Sequence, residues 1–322
     1  MKILIIRFSS IGDIVLTTPV IRCLKAQLPE VELHFLTKDG FAPVLEHHPD
    51  IQVLHRLGHN KHQVIEQLKS ERFDWVIDLQ HNRRSISMSR KLGAPTKRFF
   101  KANIEKWLLV NFKINRLPDK HIVDRYLETV AHLGIKNDGK GLDFHLPALS
   151  IDPKRLPDFI NRPFVGFVIG GAHQTKCLPV HKIVAAINLM PNKPVILLGG
   201  PGDQEKAKDI VSQVSHQHVF DACGKFNLLE SAFLVKQAAK IITHDTGLMH
   251  IAAAFNKPIV SVWGNTVPAF GMYPYLPKNA PEHQIVEVNK LHCRPCSKIG
   301  YKKCPKGHFK CMELIDVAEL MS

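Results

Sequence analysis

Short apolar runs rich in Ile, Val and Leu recur along this chain, and a segment with helical spacing follows almost every one after a glycine, serine or asparagine turn. That alternation leaves few folds open. Strands each followed by a helix pair in parallel, and a parallel sheet needs helices on both faces. The first unit is Ile3-Leu-Ile-Ile6, the turn Ser9-Ser10-Ile11-Gly12-Asp13, and a helix expected over 14–28 that stops at Pro29. Strands follow at 32–36, 53–56, 75–79 and 97–100, with helices near 42–47 and over 61–69 and 85–92. Residues 136–163, which include Asn137-Asp-Gly-Lys-Gly141 and four prolines from Pro147 to Pro163, break the rhythm and are the expected linker. The alternation then restarts, with strands at 164–168, 194–198, 219–223, 240–243 and 258–263 and helices over 181–190, 203–214 and 228–239. The fold class expected is α/β, with two Rossmann-like doubly wound domains at 1–150 and 151–322. Ligands of such sheets bind outside the carboxyl ends of the strands.

One of those ends carries Lys240-Ile-Ile-Thr-His-Asp-Thr-Gly-Leu-Met-His250, a strand that turns at Asp245-Thr246-Gly247 into a helix with Leu248, Ile251 and Ala252 on its apolar face. The first turn of a helix leaves amides unpaired and holds the positive end of the dipole, so this is an anion site by construction. Asp245 does not suit a pure phosphate cradle, because like charges repel. It either caps the helix or faces a hydroxyl-bearing part of the same ligand, and a plain capped turn with a core histidine at His250 is the competing reading.

The 322 residues are 45% hydrophobic, which suits a soluble chain of about two domains, and no apolar run nears the roughly 20 residues of a membrane span. The N-terminus reads as a first strand, without a signal-peptide core or cleavage site, so a cytoplasmic protein is expected. Net charge is +14, and residues 81–125 alone contribute twelve basic against three acidic side chains. That stretch interleaves its cations with Phe99, Phe100, Trp107 and Phe112, which suits a phosphorylated, partly apolar partner such as an anionic lipid. By charge alone, nucleic acid or a merely solvated surface fits as well. No G-x-G-x-x-G follows the first strand, which counts against an ordinary dinucleotide dehydrogenase.

Three spaced motifs, Ser9-Ser10-Ile11-Gly12-Asp13, Thr175-Lys176-Cys177-Leu178-Pro179 and Asp245-Thr246-Gly247-Leu248-Met249-His250, occur together with Gly199-Gly-Pro-Gly-Asp203. In order and spacing the chain resembles glycosyltransferase family 9, the heptosyltransferases of the bacterial lipopolysaccharide inner core, from residue 1 to its last helix. The resemblance implies a GT-B fold with the two domains facing across a cleft. It also implies inverting transfer from a nucleotide-diphospho-sugar, ADP-heptose above others, with no metal at the reaction centre. The acceptor would be a phosphorylated, lipid-linked molecule at the inner membrane face, and no nucleic acid is expected.

Carried over by position, Asp13 falls where the family keeps its general base, able to take the acceptor hydroxyl proton as that oxygen attacks the anomeric carbon. A helix N-terminus favours its charged form, so proton transfer must come late. A plain N-cap is the rival reading. Ser9, Ser10 and Gly12 would shape the loop around donor or acceptor. Lys176 matches the lysine that pairs with the donor diphosphate, with Thr175 beside it, and a fixed cation there stabilises the leaving group's charge. Leu178 stands where the common form has Trp, which keeps apolar packing but not an aromatic face. Asp203 would hold ribose hydroxyls or cap the next helix, Asp245 would face donor-sugar hydroxyls, and Thr246, Gly247 and His250 would address the diphosphate.

Cys293, Cys296, Cys304 and Cys311 crowd the segment 292–311 with C-x2-C-x7-C-x6-C spacing, among seven Lys/Arg between Lys290 and Lys310. In a cytoplasmic chain the cluster reads as structural zinc, as reduced thiols in a packed loop, or as a redox pair, with His292 and His308 as substitute ligands. No cofactor for catalysis is expected. A last helix over 312–321 follows, of the kind that packs back on the N-terminal domain in GT-B proteins. Two other functions fit the same features. A sugar-nucleotide epimerase or another GT-B transferase would turn over donor without this acceptor, and a non-catalytic nucleotide-, lipid- or RNA-binding protein would bind without turnover.

Overall fold

The computed structural model describes residues 1–148, 151–215, 218–281 and 283–321. The chain runs β1 (Lys2–Ile6), α1 (Ile11–Val15), α2 (Thr18–Gln27), β2 (Glu32–Lys38), β3 (Val53–Leu57), α3 (Lys61–Ser70), β4 (Trp75–Asp78), α4 (Arg83–Leu92), β5 (Thr96–Arg98), α5 (Asn103–Phe112) and α6 (Ile122–Leu127). It continues through β6 (Val165–Val168), α7 (Val180–Asn188), β7 (Val195–Leu198), α8 (Gln204–Gln213), β8 (Val219–Asp221), α9 (Leu228–Gln237), β9 (Lys240–His244), α10 (Gly247–Ala254), β10 (Ile259–Trp263), β11 (His283–Glu287) and α11 (Lys310–Glu313). Two compact units result. The first holds Met1–Lys101, Lys120–Pro147 and Tyr275–Lys278; the second holds Ala102–Asp119, Ala148–Pro274 and Asn279–Ser322.

Each unit carries one parallel sheet, in the order β3-β2-β1-β4-β5 in the first and β11-β10-β9-β6-β7-β8 in the second. β6, β7 and β10 are buried at every residue, as strands covered on both faces must be. Neighbouring strands approach closely at Gly166, where an added Cβ would lie 2.6 Å from the Ile241 side chain. In the first unit Leu4, Ile6, Leu36 and Val76 pack with Ile65 and Leu68 of α3 and Met88 of α4. In the second, Phe167, Leu197 and Val262 pack with Ile183 and Ile187 of α7 and Ile210 of α8.

Several expected boundaries are corrected. The helix expected over 14–28 is two helices. Thr17 and Thr18 turn their hydroxyls back onto the carbonyls of Ile14 and Val15, and Pro19, which has no N–H, sits in the first turn of the second helix. The helix expected near 42–47 is a 3₁₀ turn, Asp39–Val44, with Pro43 inside it. The last helix expected over 312–321 is interrupted, with α11 ending at Glu313 and Asp316 capping a separate turn, Val317–Leu320. The segment 136–163 is not a free linker at its start. Arg22 pairs with Asp138 at 2.7 Å and also with Asp143, and Leu142 and Phe144 are buried. Of the twelve cations between 81 and 125, Arg125 is buried inside the first unit and Arg98 donates to Ser89.

Three histidines tie this fold to pH. Burial pushes His244 and His48 down to about 3, with the positive charges of Lys206 and of His145 and Arg22, respectively, adding to it. Burial, then His34, pushes His55 down to about 4. A histidine whose folded pKa lies below its unfolded value near 6.5 contributes stability that is complete above that value and is lost as pH falls toward the folded pKa. Thermal midpoints are therefore expected to be level above pH 7 and to fall between about pH 6.5 and 4.5, before most carboxylates titrate. Scanning calorimetry across that window checks this, and a level midpoint down to pH 4.5 would contradict it.

Candidate active site

In the first unit the loop after β1 is organised by a buried arginine. Arg7 is 7% exposed; it donates to the carbonyls of Ser9 at 2.9 Å and Leu79 at 2.5 Å and to the Tyr126 hydroxyl at 3.0 Å. Its remaining nitrogen reaches Asp13 Oδ1 at 2.6 Å. Burial alone would lower the Arg7 pKa, but Asp13, Tyr126 and Asp78 together outweigh it and the net shift is upward. Burial also raises the Tyr126 hydroxyl to about 12, so it stays a neutral acceptor for Arg7. The other carboxylate oxygen of Asp13 accepts from Ser10 N at 3.1 Å and Ser10 Oγ at 2.8 Å. Ser10, not Asp13, is the N-cap of α1; Asp13 is the third helical residue, closing back on that cap, and also a partly exposed carboxylate, its side chain 23% accessible, held in one orientation by three donors. Gly12 is buried beneath it, and Ser9 and Ser10 line the same turn.

The carboxyl ends of β1, β2 and β3, with α3 and α4, also line a cavity of about 690 Å³, bordered by Phe8, Lys38, Leu57, Lys61, Arg83, Arg84 and Lys91 among others. Its one carboxylate is Asp39, and His59 and His62 also line it. α4 enters this wall by its N-terminus, where Asn82 accepts from Arg84 N at 2.9 Å and Ser85 N at 3.0 Å. A pocket with this lining selects a polyanion.

The second unit gathers Thr175, Lys176, Asp245, Thr246 and Gly247 at the carboxyl ends of β6 and β9. Lys176 Nζ lies 2.6 Å from Asp245 Oδ2, with side-chain exposures of only 15% and 12%. Thr266, at the end of β10, donates to the same oxygen at 3.0 Å. No side chain caps α10 from Thr246, so its first-turn amides remain for a ligand. His250 is 2% exposed, inside that helix rather than at its open end.

Beneath these groups the strand ends are tied together. His244 Nε2 accepts from Leu178 N at 2.9 Å, and Lys206 donates to the carbonyls of Ile169 at 3.1 Å and Leu178 at 2.8 Å. Burial lowers the Lys206 pKa, with Cys177 and Asp203 opposing. Leu178 is 1% exposed and belongs to the core, so the leucine found in place of an aromatic residue packs inward. Asp203 accepts from Gly200 N at 2.8 Å, and an added Cβ at Gly170 would fall 2.0 Å from its carboxylate. The acid therefore folds over the end of β6, and only a glycine admits it there.

The cysteine-bearing segment is sewn to this site. Thr175 N donates to Tyr301 O at 3.2 Å, and Tyr301 N donates to Thr175 Oγ1 at 2.8 Å. Arg294 donates to the carbonyls of Gly264 and, at 3.0 Å, Thr266, and pairs with Glu287 at 2.6 Å. Gly264 has no room for a side chain, since an added Cβ would meet Met312 at 2.5 Å and the Thr175 carbonyl at 2.8 Å.

Arg7, Tyr126, Thr266 and Lys206 were not among the sequence candidates. Arg7 carried one usable signal, a cation closing an otherwise apolar strand just before the Ser-Ser turn. Thr266 carried only its place past the carboxyl end of a strand.

The chain is similar to known proteins over most of its length. The model of glycosyltransferase family 9 (heptosyltransferase) matches residues 61–305. Lipopolysaccharide heptosyltransferase 1 of Campylobacter coli is 27% identical over 290 residues, covering 83% of this chain and 84% of that protein. Lipopolysaccharide heptosyltransferase 2 of Escherichia coli is 26% identical, covering 84% of each. Among solved structures, a family 9 glycosyl transferase from Veillonella parvula superposes with a TM-score of 0.75 at 22% identity, covering 99% of this chain and 95% of that one. At that identity the likeness shows the fold, which is of the GT-B type, with two Rossmann-like units.

Proposed function

The chain belongs to glycosyltransferase family 9, the heptosyltransferases, and on that premise we propose that it moves a heptose from ADP-heptose to a phosphorylated, lipid-linked acceptor of the lipopolysaccharide core. The observation that carries this reading is the cluster of Lys176, Asp245 and Thr266 beside the uncapped start of α10. A cation and helix-end amides suit a diphosphate, and a carboxylate with a hydroxyl suits sugar hydroxyls. They address two parts of one sugar nucleotide.

Transfer proceeds with inversion. The acceptor oxygen attacks the anomeric carbon from the face opposite the diphosphate, its proton passes to the Asp13 carboxylate, and the C–O bond to ADP breaks with its electron pair leaving on the phosphate oxygen. Lys176 and the α10 amides balance the charge that develops there, so a metal ion is not needed for that step. Ser9, Ser10 and Gly12 shape the loop that holds Asp13, and Asp203, Thr246 and Gly247 complete the donor site, with Thr175 and His250 buried behind it. The cationic cavity lined by Lys38, Lys61, Arg83, Arg84 and Lys91 supports an acceptor that carries several negative charges.

α5 and the residues after it expose Ile104 at 71%, Trp107 at 52%, Phe112 at 58% and Ile114 at 46%, beside Lys113 and Arg116. This apolar and basic face supports peripheral binding at the cytoplasmic face of an anionic inner membrane. No helix among the described residues is long and apolar enough to cross a membrane. Flotation with anionic vesicles tests the contact: loss of binding in Trp107→Ser with Phe112→Ser is expected, and unchanged binding would sink it.

The donor is tested by calorimetry of ADP-heptose, UDP-, GDP- and TDP-sugars in the presence of chelator, followed by transfer to lipopolysaccharide lacking its core heptose. Micromolar binding of ADP-heptose alone and a heptose mass added to the acceptor are expected. Binding of a different sugar nucleotide, or donor conversion without acceptor, would overturn the assignment.

A further inference from the structure

We infer that Cys293, Cys296, Cys304 and Cys311 bind one zinc ion whose role is structural, and that this ion holds the Thr175–Lys176 turn in its working position. The four cysteines belong to the irregular segment after β11 and to α11, and they line one cavity of about 10 Å³. That volume admits a single water-sized or ion-sized centre. None of the four is in a disulfide.

The chemistry of the lining fits zinc. Four thiolates are the donor set of closed structural zinc sites, and the C-x2-C pair that opens the segment is their usual first half. His308 Nε2 stands 3.9 Å from Cys293 Sγ, in reach to donate to that sulfur from outside the ligand set. Four thiolates on a divalent ion leave a net charge of −2, which gives a reason for the lysines that crowd this segment, Lys298, Lys302, Lys303 and Lys306. No three of these ligand atoms lie within 4.8 Å of one another, whereas zinc at about 2.3 Å from each sulfur needs them about 4 Å apart. Binding would draw the sulfurs together by rotation about the Cα–Cβ bonds, since all four cysteines line the same cavity. The trio that does meet the spacing, His34, His55 and Glu71, is internally satisfied: His34 bonds His55 at 2.8 Å, and Glu71 pairs with Lys2 at 2.7 Å.

The consequence for the site follows from what the segment holds. Tyr301, between the second and third cysteines, bonds Thr175 through both its backbone groups, and Cys296 N donates to Asn265 O at 3.3 Å. Arg294, between the first two cysteines, binds the Thr266 carbonyl. Lys176 follows Thr175, and Thr266 binds Asp245, so one cross-linked loop backs both ends of the cluster. The sixteen residues between Cys293 and the start of α11, 294–309, form no regular element of their own, so a metal would add a covalent-strength tie to a loop otherwise held by those hydrogen bonds.

Elemental analysis of the full chain, purified without chelator, is expected to give about one zinc per chain, lost in Cys296→Ser with Cys304→Ser. Cobalt substitution of the native chain is expected to give the intense visible bands of a tetrahedral thiolate site, a reading that does not depend on how the variant folds. Stripping the metal is expected to raise the dissociation constant for ADP about tenfold or more. That last measurement rests on the donor assignment above, whereas the metal content and the cobalt spectrum do not. Under 0.1 zinc per chain after reconstitution, with four thiols reacting freely, would overturn the inference. So would zinc retained by the double variant.

Discussion

Replacing Asp13 by Asn is expected to lower kcat by about 10²- to 10⁴-fold while the dissociation constant for ADP-heptose moves less than about twofold. The side chain has two roles that this substitution separates. Closing back on the cap it accepts from Ser10 N and Ser10 Oγ, and an asparagine oxygen keeps those bonds. As a base it must carry a negative charge, which asparagine lacks. The charge is also what Arg7 is paired with at 2.6 Å, and removing it leaves a buried cation held by two carbonyls and the Tyr126 hydroxyl. Some loss of stability is therefore expected, and the thermal midpoint is measured beside turnover. If activity fell only in proportion to the folded fraction, Asp13 would be a structural residue and the base would lie elsewhere. Ser10→Ala is the control. It removes the hydroxyl donor and leaves the charge, so kcat should change by less than about tenfold.

The fold was largely legible because parallel strands buried on both faces are written as mainly apolar runs, as β6, β7 and β10 are, while β9 shows it only at Ile241 and Ile242. β11 was missed because His283-Gln-Ile-Val-Glu287 sits at a sheet edge, only Val286 is buried, and the run reads as polar. α5 was missed for a different reason. It has apolar residues on an exposed face, Ile104, Trp107 and Phe112, so the segment registered as a basic and aromatic surface rather than as a helix. The split between α1 and α2 depends on threonine hydroxyls bonding back to the chain, a choice that spacing does not reveal.

The site was legible where a residue lies in the segment that leaves the carboxyl end of a strand, as Asp13, Lys176 and Asp245 do. What stayed hidden is the pairing among them. That Lys176 and Asp245 meet depends on β6 and β9 being neighbours in the sheet although 69 positions separate the two side chains. Arg7 was hidden because its partners, Leu79 and Tyr126, arrive from 72 and 119 residues away. Sheet order decides both, and an alternation of strands and helices does not by itself give the order.

The pairing of Lys176 with Asp245 leads to an expected result of opposite signs. The lysine's charge is offset by a carboxylate at 2.6 Å, so a diphosphate that arrives must share the cation and sit near an anion. Asp245→Asn removes that repulsion and frees the cation, and ADP is expected to bind several-fold, up to about tenfold, more tightly. The same change weakens the acceptor of sugar hydroxyl bonds, so kcat/KM with ADP-heptose is expected to fall by about tenfold or more. Lys176→Ala should do harm on both counts, weakening ADP and lowering kcat by about 10²- to 10³-fold, because the charge on the departing diphosphate then has only the helix amides. Calorimetry with ADP and steady-state rates with ADP-heptose separate the cases. If Asp245→Asn weakened ADP as well, the carboxylate would be holding Lys176 in place for the diphosphate rather than binding the sugar, and the division of labour between acid and amides would have to be redrawn around Thr266.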